Sequence, residues 1–190
     1  MDIEKIFLDL YRNGKFPMAD DKDAGKTYIF DPPERTLIPL NLHVPRSLQK
    51  TIKKGGYEIR FDTAFRDVIT ACRDRRDTWI NETILEAFVM LHDAGHTHSV
   101  EYWQNNELKG GLYGLSMGAI FCGESMFSLA PNASKICLVA LCNHLKQKNF
   151  KLLDAQFMND HLKQFGAYTI PREEYLGLLI QNRDAPIHFS

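Results

Sequence analysis

What this sequence has little of already narrows its class. It has only four cysteines, Cys72, Cys122, Cys137 and Cys142, with neither a CxxC pair nor the His/Cys spacing of a zinc site. They read as small buried hydrophobes in a reducing compartment, not as a disulfide frame or metal ligands. No apolar run approaches the ~20 residues needed to cross a bilayer. The opening Met1-Asp-Ile-Glu-Lys5 lacks the basic start and apolar stretch of a secretory signal. These readings predict a cytoplasmic protein. There is no internal repeat. No charge sign dominates either, with 23 basic against 24 acidic residues and a net charge of −1, so the chain as a whole is not a polyanion binder by composition.

The 190 residues, 44% hydrophobic and 25% charged, suffice for one cored domain with a smaller appendage. Charge is uneven along them. Residues 46–76 carry nine basic side chains (Arg46, Lys50, Lys53, Lys54, Arg60, Arg66, Arg73, Arg75, Arg76) against four acids (Glu58, Asp62, Asp67, Asp74), an excess of +5. Such a segment can meet phosphates, or it can be a solvated face.

Apolar spacing predicts a helix over 3–12, a loop at Phe16-Pro17-Met18, and a short strand at 28–30. An extended piece follows at 36–40, where Pro39 argues for a sheet edge. A basic helix over 45–54 is closed by Gly55-Gly56. From residue 57 the order is strand, two helices, strand hairpin, helix, strand, helix, strand. Thr63 or Asp62 is expected to cap the first of those helices and Asn81 the second. Asn105-Asn106 reads as a hairpin turn, 132–148 as a helix, and 151–157 as a buried strand. Asn159 opens a short helix stopped by Gly166, and a strand at 168–170 and a helix over 172–181 finish the chain. The plan is α/β (α+β, a mixed sheet covered by helices), with a small α+β domain over 1–56 and a catalytic domain over 57–190. The second half resembles the GNAT acyltransferase architecture.

The centre of the chain is residues 107–128. Gly110, Gly111, Gly114, Gly118 and Gly123 sit there among apolar residues, where glycine weakens a strand unless a backbone or ligand must come close. Glu124 and Asp154 are carboxylates inside apolar runs, costly without a partner or a task. Either could cap a turn or pair with an arginine. A coenzyme A enzyme would need a glycine-rich, donor-bearing loop before the 132–148 helix. Here that loop is Ser128-Leu-Ala-Pro-Asn132, without glycine and with Pro131 removing a donor.

Several longer motifs carry a resemblance. They are His96-Thr-His-Ser-Val-Glu-Tyr-Trp103, Gly110-Gly-Leu-Tyr-Gly114, Phe121-Cys-Gly-Glu-Ser-Met-Phe-Ser128, Asp154-Ala-Gln156, Asn159-Asp-His161 and Ile170-Pro-Arg172, with Thr78-Trp-Ile80 upstream. Together they resemble the leucyl/phenylalanyl-tRNA–protein transferase family over nearly the whole chain. The resemblance implies transfer of Leu or Phe from aminoacyl-tRNA to the N-terminal Arg or Lys of an acceptor protein, marking it for N-end rule degradation. It implies no cofactor and no metal, because the ester is already activated. Asp154 and Gln156 would be catalytic, Asp154 either abstracting the amine's proton or orienting the amine. Leu112, Phe121, Glu124, Ser125, Met126, Leu141, Leu145 and Leu153 would line the amino-acid pocket. Trp79 would stack on the tRNA 3′ adenosine, with Met18, Tyr11 and Asn159 close by. Arg46, Lys50, Lys53, Lys54, Arg60, Arg73, Arg75 and Arg76 would meet the tRNA backbone.

The chain departs from the family pattern at Met18, where some family members carry an aromatic, and at Leu141 and Leu145, which replace bulkier residues seen in relatives. The segment before Tyr11 is also short. Two other readings stand beside this one, a GNAT-type N-acyltransferase using acyl-coenzyme A and a tRNA-binding module without turnover.

Overall fold

The computed structural model describes residues 3–190. Met1 and Asp2, part of the stretch read as lacking a signal, lie outside the described residues. In chain order the elements are α1 (Ile3–Arg12), β1 (Phe16–Ala19), β2 (Thr27–Phe30), β3 (Glu34–Leu37), α2 (Arg46–Lys54), β4 (Glu58–Phe61), α3 (Phe65–Arg73) and α4 (Glu82–Asp93). There follow β5 (Thr97–Gln104), β6 (Glu107–Met117), β7 (Ile120–Ser128), α5 (Ala133–Gln147), β8 (Leu152–Gln156), α6 (Asp160–Lys163), β9 (Tyr168–Pro171) and α7 (Arg172–Asn182).

Seven strands form one mixed sheet in the order β4-β5-β6-β7-β8-β3-β9, and β1-β2 make a separate ribbon. Only β7 and β8 run parallel; the other pairs are antiparallel. One face carries α3 and α4, with α1 packed on α4; the other carries α5, with α2 against it. Two hydrophobic clusters result, one around Tyr11, Phe65, Ile84, Phe88 and Tyr113, the other around Phe121, Ile136, Leu141, Leu145 and Phe189. This is an α+β architecture with a mixed, helix-covered sheet.

Several local expectations hold for the reasons given. Asn81 accepts a hydrogen bond from the Ile84 N–H and Asn159 one from the Leu162 N–H, closing the first turns of α4 and α6. Asn105 and Asn106 have φ of 53° and 58°, the left-handed pair a two-residue hairpin needs. Gly55, Gly95 and Gly166 take positive φ just past helix ends.

Three expectations are corrected. Phe16-Pro17-Met18 is not a loop but half of the β1-β2 ribbon, Pro17 lying opposite Ile29. The 36–40 segment is not at an edge. Its strand ends at Leu37, two residues before Pro39, and pairs with both β8 and β9. Neither Thr63 nor Asp62 caps α3 through its side chain. The cap position is Ala64, and the carboxylate of Glu101 on β5 accepts from the N–H groups of Thr63 and Ala64, each at 2.8 Å. Asp62 instead holds the Ser99 N–H at 2.8 Å and His98 Nδ1 at 2.8 Å. A buried acid from a neighbouring strand has taken the capping task, which no local pattern encodes.

Glycine has a steric reason at two of the central positions. A Cβ on Gly114 would collide with the Cys122 carbonyl and the Phe121 ring, and one on Gly110 would strike Ala133 Cβ at the start of α5. Both glycines permit close approach of protein to protein.

Candidate active site

The site begins where two strands part. β7 and β8 are paired only over Ile120–Cys122 and Leu152–Asp154, while β7 continues to Ser128 on β6. Beyond Cys122 and Asp154 the strands separate, and a cavity of about 680 Å³ opens between them, well within the range of small-molecule sites. Its apolar wall is Ile38, Leu112, Met126, Leu138, Leu141 and Leu153. Its polar wall includes Tyr113, Glu124, Ser125, Gln156 and Asn159, and Arg75, Trp79 and Phe157 also line it.

Under the polar wall lies a chain of buried polar groups. Arg35, 1% exposed, and Asp154, 0% exposed, form an ion pair in which the guanidinium Nη2 donates to Oδ2 and Nε to Oδ1 at 3.3 Å. Tyr175 on α7 donates its hydroxyl to Asp154 Oδ2 at 2.8 Å. Arg35 also donates to the Gly14 carbonyl at 2.9 Å and lies over the rings of Phe16 and Tyr175. Burial is the largest influence and would weaken the charged guanidinium, but the charge and hydrogen bond of Asp154 together with Tyr175 and Cys122 outweigh it and hold Arg35 protonated above its usual range.

Asp154 Oδ1 also receives the N–H of Gln156 at 2.9 Å, and Gln156 adopts φ 59°. A residue with a Cβ avoids that region unless its surroundings hold it there, at a cost of order 1–3 kcal/mol. Here the aspartate side chain closes the turn two residues on. The turned Gln156 donates Nε2 to Glu124 Oε1 at 2.9 Å, and Tyr11 from α1 donates its hydroxyl to the same oxygen at 2.8 Å. Glu124 Oε2 is buried and has no partner among the described residues; the buried Tyr113 hydroxyl has none either. Burial pushes the Glu124 carboxyl up to about 8, helped by the Asp154 charge and opposed by Tyr11, Arg35 and Gln156. The Tyr11 and Tyr113 phenols are raised well above their usual value, chiefly by burial and then by Glu124.

Of the residues expected in the pocket, Leu112, Glu124, Ser125, Met126, Leu141 and Leu153 are on the cavity wall, as are Asp154, Gln156, Trp79 and Asn159. Phe121 and Leu145 are fully buried in the α5-side core and do not line it. Phe121 is turned against Gly114 and towards Phe189. Tyr11 stands behind the wall, reaching it only through Glu124, and Met18 packs against the opposite core. The Trp79 backbone is pinned to the ribbon by the Ala19 N–H at 2.9 Å, while Asn81 donates to the Ala24 carbonyl at 2.9 Å.

Of the basic set, only Arg75 reaches the cavity, donating to the Met126 carbonyl at 2.9 Å and to Ser125 Oγ at 3.3 Å. Arg46, Lys50, Lys53 and Lys54 are exposed on α2 and Arg76 is exposed just after α3. Arg60 pairs with Glu58 and Arg73 with Glu82. At the start of α5, the Ala133 N–H bonds the Ala130 carbonyl and the Ser134 N–H bonds Ser128 Oγ. Those donors are therefore spent within the protein and are not offered to a pyrophosphate.

Sequence reasoning missed Arg35, Tyr175, Tyr113 and Leu138. One signal pointed to Arg35, a cation directly before the apolar Thr36-Leu-Ile38, since a buried carboxylate such as Asp154 needs a counter-charge. Among the described residues no three His, Cys, Asp or Glu side chains come together to hold a metal ion. Likewise no described helix is long and apolar enough to cross a membrane.

Comparison with known proteins places this cavity in context. The profile of the leucyl/phenylalanyl-tRNA protein transferase family matches residues 36–180. A leucyl/phenylalanyl-tRNA–protein transferase of Herpetosiphon aurantiacus is 50% identical over 173 residues, 90% of this chain and 89% of the relative. One from Paramagnetospirillum magneticum is 50% identical over 175 residues, covering 90% and 84%. One from Phenylobacterium zucineum is 48% identical over 187 residues, covering 96% and 85%.

Proposed function

The chain belongs to the leucyl/phenylalanyl-tRNA–protein transferase family and is an aminoacyltransferase; from that premise we propose how its cavity works. The enzyme takes Leu or Phe from the 3′ end of aminoacyl-tRNA and joins it to the N-terminal amine of a protein beginning with Arg or Lys. The product carries an N-end rule degradation signal. We place the reaction in the cytoplasm, with aminoacyl-tRNA as co-substrate and no further cofactor.

One observation carries the reading: a single cavity between parted strands offers an apolar wall, an acid and an aromatic plate together. The parting of β7 and β8 also supports a GNAT-like account of the catalytic domain. The amino-acid side chain lies against Leu112, Met126, Leu138, Leu141 and Leu153. A shape-selecting wall of this kind discriminates by about 1–3 kcal/mol per methylene. Trp79 stacks on the terminal adenine, and Asn159 stands beside it. Arg75 at the mouth, with Arg76 and the α2 cations outside, meets phosphates without reading bases. Asp154 is a positioning group. Its carboxylate holds Gln156 in its turn, and Gln156 holds Glu124.

The test is direct. The protein is incubated with Phe-tRNA or Leu-tRNA and a peptide starting with arginine, and labelled amino acid is followed into the peptide. Transfer is expected. Acetylation from acetyl-coenzyme A instead, or tRNA binding without any transfer, would overturn the reading.

A further inference from the structure

Resting on that reading, we propose that Glu124 is the group that takes the proton from the attacking amine and returns it to the departing ribose oxygen, while Asp154 acts through Gln156. A base must present a free lone pair within about 2.6–3.2 Å of the proton it receives. Asp154 does not. Oδ1 is taken by the Gln156 N–H and Arg35 Nε, and Oδ2 by Arg35 Nη2 and the Tyr175 hydroxyl. Its side chain is 0% exposed and paired with a permanent cation.

Glu124 is built the opposite way. Two donors, Tyr11 and Gln156, fix Oε1; Oε2 is buried with no donor among the described residues, and Glu124 is one of the residues lining the cavity. A buried acceptor left unsatisfied is costly, more so when charged, so native structures seldom keep one without a use. The Tyr113 hydroxyl, also buried, also unpartnered and on the same wall, is a second sign that a polar ligand completes this face.

The groups facing Glu124 come from five elements: Tyr11 from α1, Tyr113 from β6, Cys122 from β7, Asp154 from β8 and Arg35 from β3. Their balance leaves its carboxyl poised near 8, close to the ~7.7–8.0 of an α-amine. That match suits a proton acceptor for this nucleophile.

The step balances without an outside reagent. The neutral amine nitrogen attacks the ester carbonyl carbon, an N–C bond forms, and the carbonyl pair moves to oxygen. Glu124 Oε2 takes one N–H proton. The carbonyl then re-forms, the bond from carbon to the ribose oxygen breaks, and that oxygen takes the proton from the Glu124 carboxyl. An amide and a free hydroxyl leave, and the carboxylate is restored.

The experiment compares wild type, Glu124→Gln and Glu124→Asp. It measures kcat/KM for an N-terminal-Arg peptide with saturating Phe-tRNA from pH 6 to 9.5, and tRNA affinity in parallel. In wild type two groups, Glu124 and the amine, must lose protons, so log kcat/KM should rise with a slope near 2 at the acid end. In Glu124→Gln only the amine remains, and the slope should fall to 1 with a rate loss on the order of 100-fold or more, tRNA affinity being kept. Glu124→Asp should be faster than Glu124→Gln and keep the steeper slope. The proposal is overturned if the slope is the same in wild type and Glu124→Gln, if Asp rescues nothing, or if tRNA affinity falls as far as the rate. No transfer by wild type would overturn the functional reading itself, a different outcome from transfer that survives loss of Glu124.

Discussion

Replacing Asp154 by alanine removes the only carboxylate bonded to Arg35 among the described residues, in a place where water does not reach. The guanidinium, 1% exposed, would keep its bond to the Gly14 carbonyl and its place over two aromatic rings, but it loses its counter-charge. The Tyr175 hydroxyl and the Gln156 N–H lose their acceptor in the same step. Breaking one side of a buried pair costs about 3–5 kcal/mol, a large part of the roughly 5–15 kcal/mol that holds a domain folded. At about 2–4 °C per kcal/mol for a chain of this size, Tm should fall by about 6–20 °C. The pairing also predicts a recovery. Arg35→Met combined with Asp154→Leu removes both charges, and apolar replacement of a buried pair is about neutral or stabilising, so most of the lost stability should return. Transfer activity should not return, because Gln156 no longer has the side chain that holds its turn. Thermal and urea unfolding of Arg35→Met, Asp154→Leu and the double variant close the cycle, with Asp154→Ala measured alongside. An Asp154→Ala protein within about 1 kcal/mol of wild type, or a double variant no better than the sum of the singles, would refute the reasoning.

Other outcomes follow from the same contacts. Trp79→Ala should weaken binding of the charged tRNA by about 1–3 kcal/mol, read by filter binding; unchanged affinity would remove Trp79 from the adenine site. Gly114→Ala drives a methyl group into the Cys122 carbonyl and the Phe121 ring, and urea unfolding should show a loss of about 1–3 kcal/mol or more; a neutral result would mean the β6–β7 pair can shift. Glu124 sets a pH dependence of stability. Because its folded value is raised to about 8 from an ordinary 4.5, the folded protein keeps a proton that the unfolded chain has released. Raising the pH through that window therefore destabilises wild type relative to Glu124→Gln, by about 1.4 kcal/mol per pH unit at most. A stability gap that stays flat from pH 5 to 8 would show that the acid is not buried as described.

The local steps of the fold were legible because their causes are local. Asn81 and Asn159 announce helix starts by what their own side chains can accept, and the Asn105-Asn106 turn needs only its own backbone. Where the cause came from elsewhere the reading failed. The cap of α3 is Glu101, 37 positions away from Ala64. Pro17 sits in a strand because β2 returns to pair with it. In the site, Glu124 and Asp154 stood out as carboxylates within apolar runs, Gln156 was named through the family resemblance, and all three do meet at one cavity. Phe121 and Leu145, which looked like equally good wall residues, are off the cavity wall, within the core.

The chain alone determined most of the helices and strands (β1 needed its partner β2), which family motif they carry, and which carboxylates need an explanation. Tertiary structure decided what each carboxylate does. Strand order sets β3 beside β8, bringing Arg35 to Asp154 across 119 positions, and α1 brings Tyr11 to Glu124 across 113. One acid is thereby saturated with donors, and the other keeps an open oxygen. The charge state and reactivity of a buried group depend on its partners, and those partners are supplied by distant parts of the chain that periodicity and spacing cannot pair.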